Sequence, residues 1–121
     1  MGPLVAVVDD DDSLRESLPE LIQELGFAAL AFASAEEFLA SDAMRTTQCL
    51  ILDIAMPGMS GPELQRELKL LRPEIPIVFI TAHGDESVRP HLIKQGAVEC
   101  LFKPFTEMAL LDALTAAFSG R

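Results

Sequence analysis

The stretch LVAVVDDDD, residues 4–12, decides the fold because an unbroken apolar run ends directly on a row of carboxylates. An apolar run of this length is typical of a central parallel strand, which is covered on both faces. Three later apolar runs also end on a polar side chain, namely Asp53, Thr81 and Lys103. Because ligands of open α/β sheets bind at the carboxyl edge of the strands, the sequence predicts a site there that combines carboxylates, a hydroxyl and an ammonium group.

The segments between these runs have the period of amphipathic helices. Between residues 14 and 25, leucine and isoleucine recur along one face of a helix. The capping-box pattern Ser-x-x-Glu marks three helix starts, at Ser13, Ser34 and Ser60. Gly26 and Gly96 follow helical segments, where a left-handed cap favours glycine. Pro19 predicts a kink in the first helix, and Pro90 fits the first turn of a helix that starts late.

Five β-α units follow from this alternation. The strands are predicted near residues 4–8, 28–32, 49–53, 76–80 and 98–102. The second is rich in alanine and the fifth contains Glu99, so both suit the edges of the sheet. Right-handed crossovers then give an α/β, doubly wound, flavodoxin-like five-stranded parallel sheet of order 2-1-3-4-5 with five helices. We expect one domain over residues 1–121, with a core at about 4–118 and no second domain.

Composition narrows the function further. The net charge of −10 argues against direct nucleic acid binding, because neutralising phosphates requires clustered lysine and arginine. No apolar stretch approaches the ~18 residues of a membrane span, and the N-terminus does not resemble a signal peptide. We therefore expect a cytoplasmic protein. Cys49 and Cys100 lie inside apolar runs, which favours buried, reduced thiols over a disulfide or metal site.

The predicted site suits a divalent cation and a phosphoryl group. Magnesium prefers hard oxygen ligands, which carboxylates on neighbouring strand ends supply. Asp53 would attack the phosphoryl group as the nucleophile and form an aspartyl phosphate. Lys103 and the Thr81 hydroxyl are suited to binding phosphoryl oxygens. His83 and His91 lack partners at ligand spacing, so neither is expected to serve the site.

The sequence resembles the receiver domain of two-component response regulators over roughly residues 4 to 118. The motifs that carry the resemblance are Val8-Asp9-Asp10-Asp11, the segment 52–61 (LDIAMPGMSG), Ile80-Thr81-Ala82 and Lys103-Pro104-Phe105. The resemblance implies a phosphorylatable switch, not an enzyme, that takes its phosphoryl group from a sensor histidine kinase. Among these regulators, the sequence is most similar to those with a helix-turn-helix DNA-binding output. This similarity implies an output domain or partner protein and control of transcription, and it is compatible with a homodimer.

The resemblance also implies a set of metal ligands. Asp53 would be the phosphoacceptor, and Asp10 and Asp53 would bind Mg²⁺ directly. Asp9 would assist through a water molecule, and the backbone carbonyl of Ala55 would complete the protein ligands.

Contacts to the phosphoryl group would come from Thr81 and Lys103, and the resemblance implies a cis bond between Lys103 and Pro104. The sequence departs from the family at one functional position. Receivers usually carry an aromatic residue three positions before the lysine, whose rotamer follows the threonine, whereas this chain has Cys100. Cys100 is therefore the position at which the switch is expected to differ.

Two other functions are compatible with parts of this pattern. One is a receiver-like interaction module that is never phosphorylated, against which the complete set of acidic residues, threonine and lysine argues. The other is a small phosphohydrolase with an aspartyl-phosphate intermediate. Such enzymes generally need a second acid two residues after the nucleophile, where this chain has Ala55.

Overall fold

The computed structural model describes residues 2–82 and 87–119. The strands are β1 (Leu4–Val8), β2 (Ala28–Phe32), β3 (Cys49–Asp53), β4 (Ile77–Ala82) and β5 (Glu99–Lys103). The helices of the described residues are α1 (Asp12–Glu24), α2 (Ala35–Ala40), α3 (Ala43–Thr46), α4 (Gly61–Leu71), α5 (Val88–Lys94) and α6 (Glu107–Ser119). All strand pairs are parallel, in the order β2-β1-β3-β4-β5, which confirms the predicted sheet and its two edge strands.

Five helices were predicted, and the described residues contain six, because the segment between β2 and β3 is split. The break falls at Ser41, whose backbone is extended and whose amide and hydroxyl both donate to the Phe38 carbonyl. A serine that bonds a nearby carbonyl in this way offers the backbone an alternative to helix continuation. The short α3 therefore follows α2 as a separate element.

Two apolar layers cover the sheet. Val5 and Val7 of β1 face the layer formed with α1 and α6, whereas Ala6 and Val8 face the layer formed with α2, α4 and α5. This alternation follows from the two-residue period of a strand. All five residues of β3 are buried. The sheet is thus sandwiched between helices, and its carboxyl edge is where the polar strand ends emerge.

The helix ends explain how the chain turns at that edge. Ser60 and Glu63 form the complete capping box predicted for α4, and Ser34 caps α2. The prediction for Ser13 is wrong, because the carboxylate of Asp11 caps α1 and accepts from Ser13 N at 2.9 Å. An aspartate is as good a cap as serine, and it directly follows the acidic strand end.

The two predicted glycine caps follow α1 and α5, and two prolines lie inside the same helices. Gly26 and Gly96 have φ of 104° and 110°, as expected for left-handed caps. Pro90 lies in the first turn of α5, which starts at Val88, as predicted, and α1 continues as one helix across Pro19. The kink at Pro19 stays a prediction. Over residues 2–82 and 87–119, no helix is long and apolar enough to cross a membrane.

Candidate functional site

Asp9 and Asp10 leave the end of β1 in different environments. Asp9 is fully buried, and its Oδ1 accepts from Asp11 N at 2.8 Å. Its Oδ2 lies 3.0 Å from Nζ of Lys103, at the end of β5. Asp10 is exposed. The predicted acidic pair therefore consists of one carboxylate held inside the protein by a cation and one that faces outward.

Asp53 ends β3, between β1 and β4, and is only 6% exposed. One carboxylate oxygen from each of Asp9, Asp10 and Asp53 lies within 4.8 Å of the others. The structure therefore brings together the three acidic residues that the sequence predicted. Carboxylates this close repel one another unless a cation or a proton compensates their charge.

The pKa of Asp53 reflects its burial and this repulsion. Burial, followed by the neighbouring charge of Asp9, raises the pKa of Asp53 to about 7, although the Lys103 ammonium acts in the opposite direction. For Lys103, burial alone would lower the pKa, but the hydrogen bond to Asp9 and the charges of Asp53, Asp9 and Asp11 outweigh it and raise the pKa. Lys103 is therefore a fixed cation, and Asp53 is a carboxyl group that gains from a further positive charge.

This donor set suits a hard divalent cation. All three side chains offer carboxylate oxygens, and Asp10 gives the cluster an opening to solvent. Magnesium binds through one to a few carboxylates and retains several waters, so such an open cluster fits it better than a closed cage would. Ala55, whose carbonyl was predicted as a further ligand, lies exposed two residues beyond β3. Its participation stays a prediction.

Thr81 and Lys103 end the neighbouring strands. Asp53 pairs with Ile80 of β4, and Thr81 is the next residue along that strand. Thr81 is half-buried and pairs with β5, one residue before Lys103. The peptide bond between Lys103 and Pro104 is cis, as the resemblance implied. The strand register thus brings the hydroxyl and ammonium residues to the same edge as the acids, while their contacts with a phosphoryl group stay predictions.

Cys100, the position where the family usually has an aromatic residue, is buried in the middle of β5. It pairs with Phe79 of β4, and its amide donates to the Glu99 carboxylate at 2.9 Å. The same carboxylate accepts from Nε of Arg89 on α5, also at 2.9 Å. Helix α5 is thereby linked to β5 beside the small Cys100 side chain. A role of this position in switching stays a prediction.

Both cysteines are free and buried, as predicted. Burial raises the pKa of Cys49 to about 12, and burial is also the main cause of the raised pKa of Cys100. In both cases burial favours the protonated thiol over the thiolate. His91 is exposed on α5, and His83 lies outside the described residues.

Two residues that the sequence did not single out contact the site loops. Arg15 of α1 donates to the backbone carbonyl of Asp9 at 3.0 Å. Glu36 of α2 accepts from the amide of Met59 at 2.9 Å and so links α2 to the loop that follows Asp53. The spacing of Arg15 after the acidic run was the available signal for the first contact. Nothing in the local sequence indicates the second, because it joins residues 23 positions apart.

Comparison with known proteins shows what the chain is similar to. Residues 5–115 match the family model described as the response regulator receiver domain. Nodulation protein W of Bradyrhizobium diazoefficiens is 47% identical over 114 residues, which cover 94% of this chain and 50% of that protein. Transcriptional regulatory protein FixJ of Azorhizobium caulinodans is 37% identical, with 93% of this chain and 54% of that protein covered.

A solved structure of a related protein matches almost the whole of this chain. The response regulator StyR has 48% sequence identity and a TM-score of 0.87, and the match covers 98% of this chain and 60% of that one. The chain spans about half the length of the curated relatives named above.

Proposed function

The chain belongs to the response regulator receiver domains, and from that premise we propose that it is a Mg²⁺-dependent switch that accepts a phosphoryl group on Asp53. The observation that carries the proposal is the convergence of Asp9, Asp10 and Asp53 within 4.8 Å of one another. These carboxylates adjoin Lys103, whose ammonium lies 3.0 Å from Asp9. A buried nucleophile, acidic ligands for a cation and a fixed lysine are the parts that phosphoryl transfer requires.

In this proposal, Asp10 and Asp53 hold the cation directly and Asp9 supports it from inside the protein. The cation, when bound, neutralises charge on the phosphoryl oxygens. The Asp53 carboxylate attacks phosphorus and displaces the donor group. Lys103 binds one phosphoryl oxygen, and the Thr81 hydroxyl donates to another. The ionised Asp53 carboxylate is the attacking form and carries no proton to lose, so no general base is needed; the Lys103 ammonium and a bound cation would both favour this form over the protonated one.

The donor in the proposal is a sensor histidine kinase. A groove of about 700 Å³ lies beside Lys103, between α1 and the residues after β5. Its apolar lining includes Leu14, Leu18, Leu21 and Phe105. A groove of this size gives a partner protein a route to the carboxyl edge.

Relatives of about twice this length include a transcriptional regulatory protein, so we propose that phosphorylation controls transcription through an output domain or partner. The cytoplasmic location stays a prediction, as do the homodimer and the absence of nucleic acid binding by this domain.

Phosphate labelling tests the proposal directly. Incubated with Mg²⁺ and acetyl phosphate, the protein should gain one phosphate, detected by intact mass. The phosphate should be stable in acid and lost in base, and removal of Mg²⁺ by a chelator should abolish it. Peptide mapping should place the phosphate on Asp53. An unlabelled protein would support the interaction module instead, and steady turnover of phosphate monoesters would support the phosphohydrolase.

A second prediction separates metal ligands from general acidity. Asp10→Ala should weaken Mg²⁺ binding at least ~10-fold. Losing a group that only orients a metal ligand already lowers metal affinity about 10-fold or more, and Asp10 is assigned as a direct ligand. Glu16→Ala is the matched control, since Glu16 carries the same charge but is exposed further along α1. Isothermal titration of both variants gives the comparison. Equal losses would show that the acidic run acts only as a diffuse negative surface.

A further inference from the structure

We propose that Arg15 is a positioning residue, which holds the turn between β1 and α1 so that Asp10 presents its carboxylate to the cation. This inference rests on the proposed function. Nη1 of Arg15 donates to the backbone carbonyl of Asp9 at 3.0 Å, and its Nη2 forms an ion pair with Asp12. The Arg15 side chain is only 25% exposed, so the guanidinium lies against the turn and does not extend into solvent.

Asp10 needs such a support because packing does not hold it. It is exposed, yet both peptide groups that flank it are fixed by hydrogen bonds. On one side, Arg15 binds the Asp9 carbonyl, and on the other, Asp9 Oδ1 accepts from the amide of Asp11 at 2.8 Å. With both neighbouring peptides fixed, the Cα–Cβ direction of Asp10 is fixed as well. Contacts of this kind, outside the ligands themselves, orient metal ligands in proteins.

The two effects of Arg15 on a cation have opposite signs, which makes the inference decidable. As a positive charge near the cluster, Arg15 repels Mg²⁺, so removing it should tighten binding. As a positioning residue, it preorganises Asp10, so removing it should weaken binding. The change in affinity on substitution therefore shows which effect dominates, and the inference requires that positioning dominates.

The main test is a calorimetric Mg²⁺ titration of the whole chain and of Arg15→Ala. We expect a roughly 10-fold weaker affinity in the variant, as for other losses of contacts that orient ligands. Arg45→Ala is the control, because this substitution removes the same charge from the short helix α3. The Arg45 side chain is 77% exposed there and forms only a long ion pair with Asp42, at 3.9 Å. An unchanged or tighter affinity in Arg15→Ala would overturn the inference.

A measurement without metal separates this inference from the proposed function. In Mg²⁺-free protein, amide exchange at Asp11 should be at least several-fold faster in Arg15→Ala than in the unsubstituted chain. Exchange at Ile51 and Leu52, in the buried β3, should stay unchanged, which excludes general destabilisation. If the unsubstituted chain fails to bind Mg²⁺, the proposed function fails, whereas unchanged exchange at Asp11 overturns the role of Arg15 whether or not Mg²⁺ binds.

Discussion

Asp53→Asn is expected to abolish phosphorylation and, in Mg²⁺-free buffer at pH 8, to raise the free energy of unfolding by about 2–3 kcal/mol. The stabilisation follows from the pKa of Asp53, which burial and the Asp9 charge raise to about 7. Each unit of pKa difference between folded and unfolded protein corresponds to about 1.4 kcal/mol, and the amide is expected to recover most, not all, of the penalty of ionising Asp53. Asparagine is nearly isosteric and removes the charge.

The sign of the effect sets its pH dependence. A folded-state pKa above the unfolded value means that the native protein is favoured below pH ~4 and loses that contribution as pH rises through about 7. The gain from Asp53→Asn should therefore be near zero at pH 4, grow up to about pH 7 and then level off. Urea unfolding at three pH values measures it. Added Mg²⁺ should reduce the gain, because the unsubstituted protein is stabilised by binding it. An equal gain at pH 4 and pH 8 would contradict this account.

Lys103→Ala is expected to have the second large effect, with the opposite sign. Asp9 is fully buried, and Lys103 Nζ lies 3.0 Å from its Oδ2. Removing one partner of a buried ion pair leaves the other charge unpaired, which costs about 3–5 kcal/mol, and we expect about 3 because Lys103 is 22% exposed. Urea unfolding in Mg²⁺-free buffer measures the loss. Lys94→Ala is the matched control, since Lys94 is exposed on α5.

A double-mutant cycle isolates the pair. Asp9→Asn combined with Lys103→Ala should recover much of the stability lost in Lys103→Ala alone, because no charge is left unpaired. Mg²⁺ should also recover part of it, since the cation compensates Asp9. Phosphorylation is expected to change the spectra of residues in β4 and β5, and Lys103→Ala should lose this change. The variant lacks the charge-assisted bond to the phosphoryl oxygen, which is worth roughly 1.5–3 kcal/mol. Additive effects in the cycle would show that the two charges do not interact.

Much of the fold was predictable because each level of the sequence indicated the same structure. The buried run before Asp53 has the pattern of a central strand, and β3 is buried throughout. Once the strands and their order are known, polar residues at strand ends must meet at one edge, so the cluster of Asp9, Asp10 and Asp53 was predictable as well. No side-chain detail is needed for this inference.

What could not be predicted depends on side-chain reach and competition between local bonds. The sequence does not show that Asp11 caps α1 in preference to Ser13, because both residue types are good caps. The break at Ser41 depends on its bonds to one carbonyl, which a helical pattern does not reveal. The contact between Arg15 and the Asp9 carbonyl depends on the geometry of the turn, which follows from the completed sheet. The burial of Asp9 also depends on the completed fold, and its indirect, water-bridged role stays a prediction.

The crowding of three carboxylates at the carboxyl edge also has a consequence for protein engineering. Asp53 lies far along the sequence from the adjacent Asp9 and Asp10, so its repulsion with them exists in the folded chain and is largely absent from the unfolded one. A screen of variants for heat resistance alone would therefore enrich substitutions of Asp53, whose carboxyl is the one with a raised pKa. The enriched proteins would be more stable but unable to accept a phosphoryl group, since the buried carboxylate that destabilises the fold is also the proposed phosphoacceptor. Laboratory evolution of this chain needs a selection for phosphorylation alongside any selection for stability.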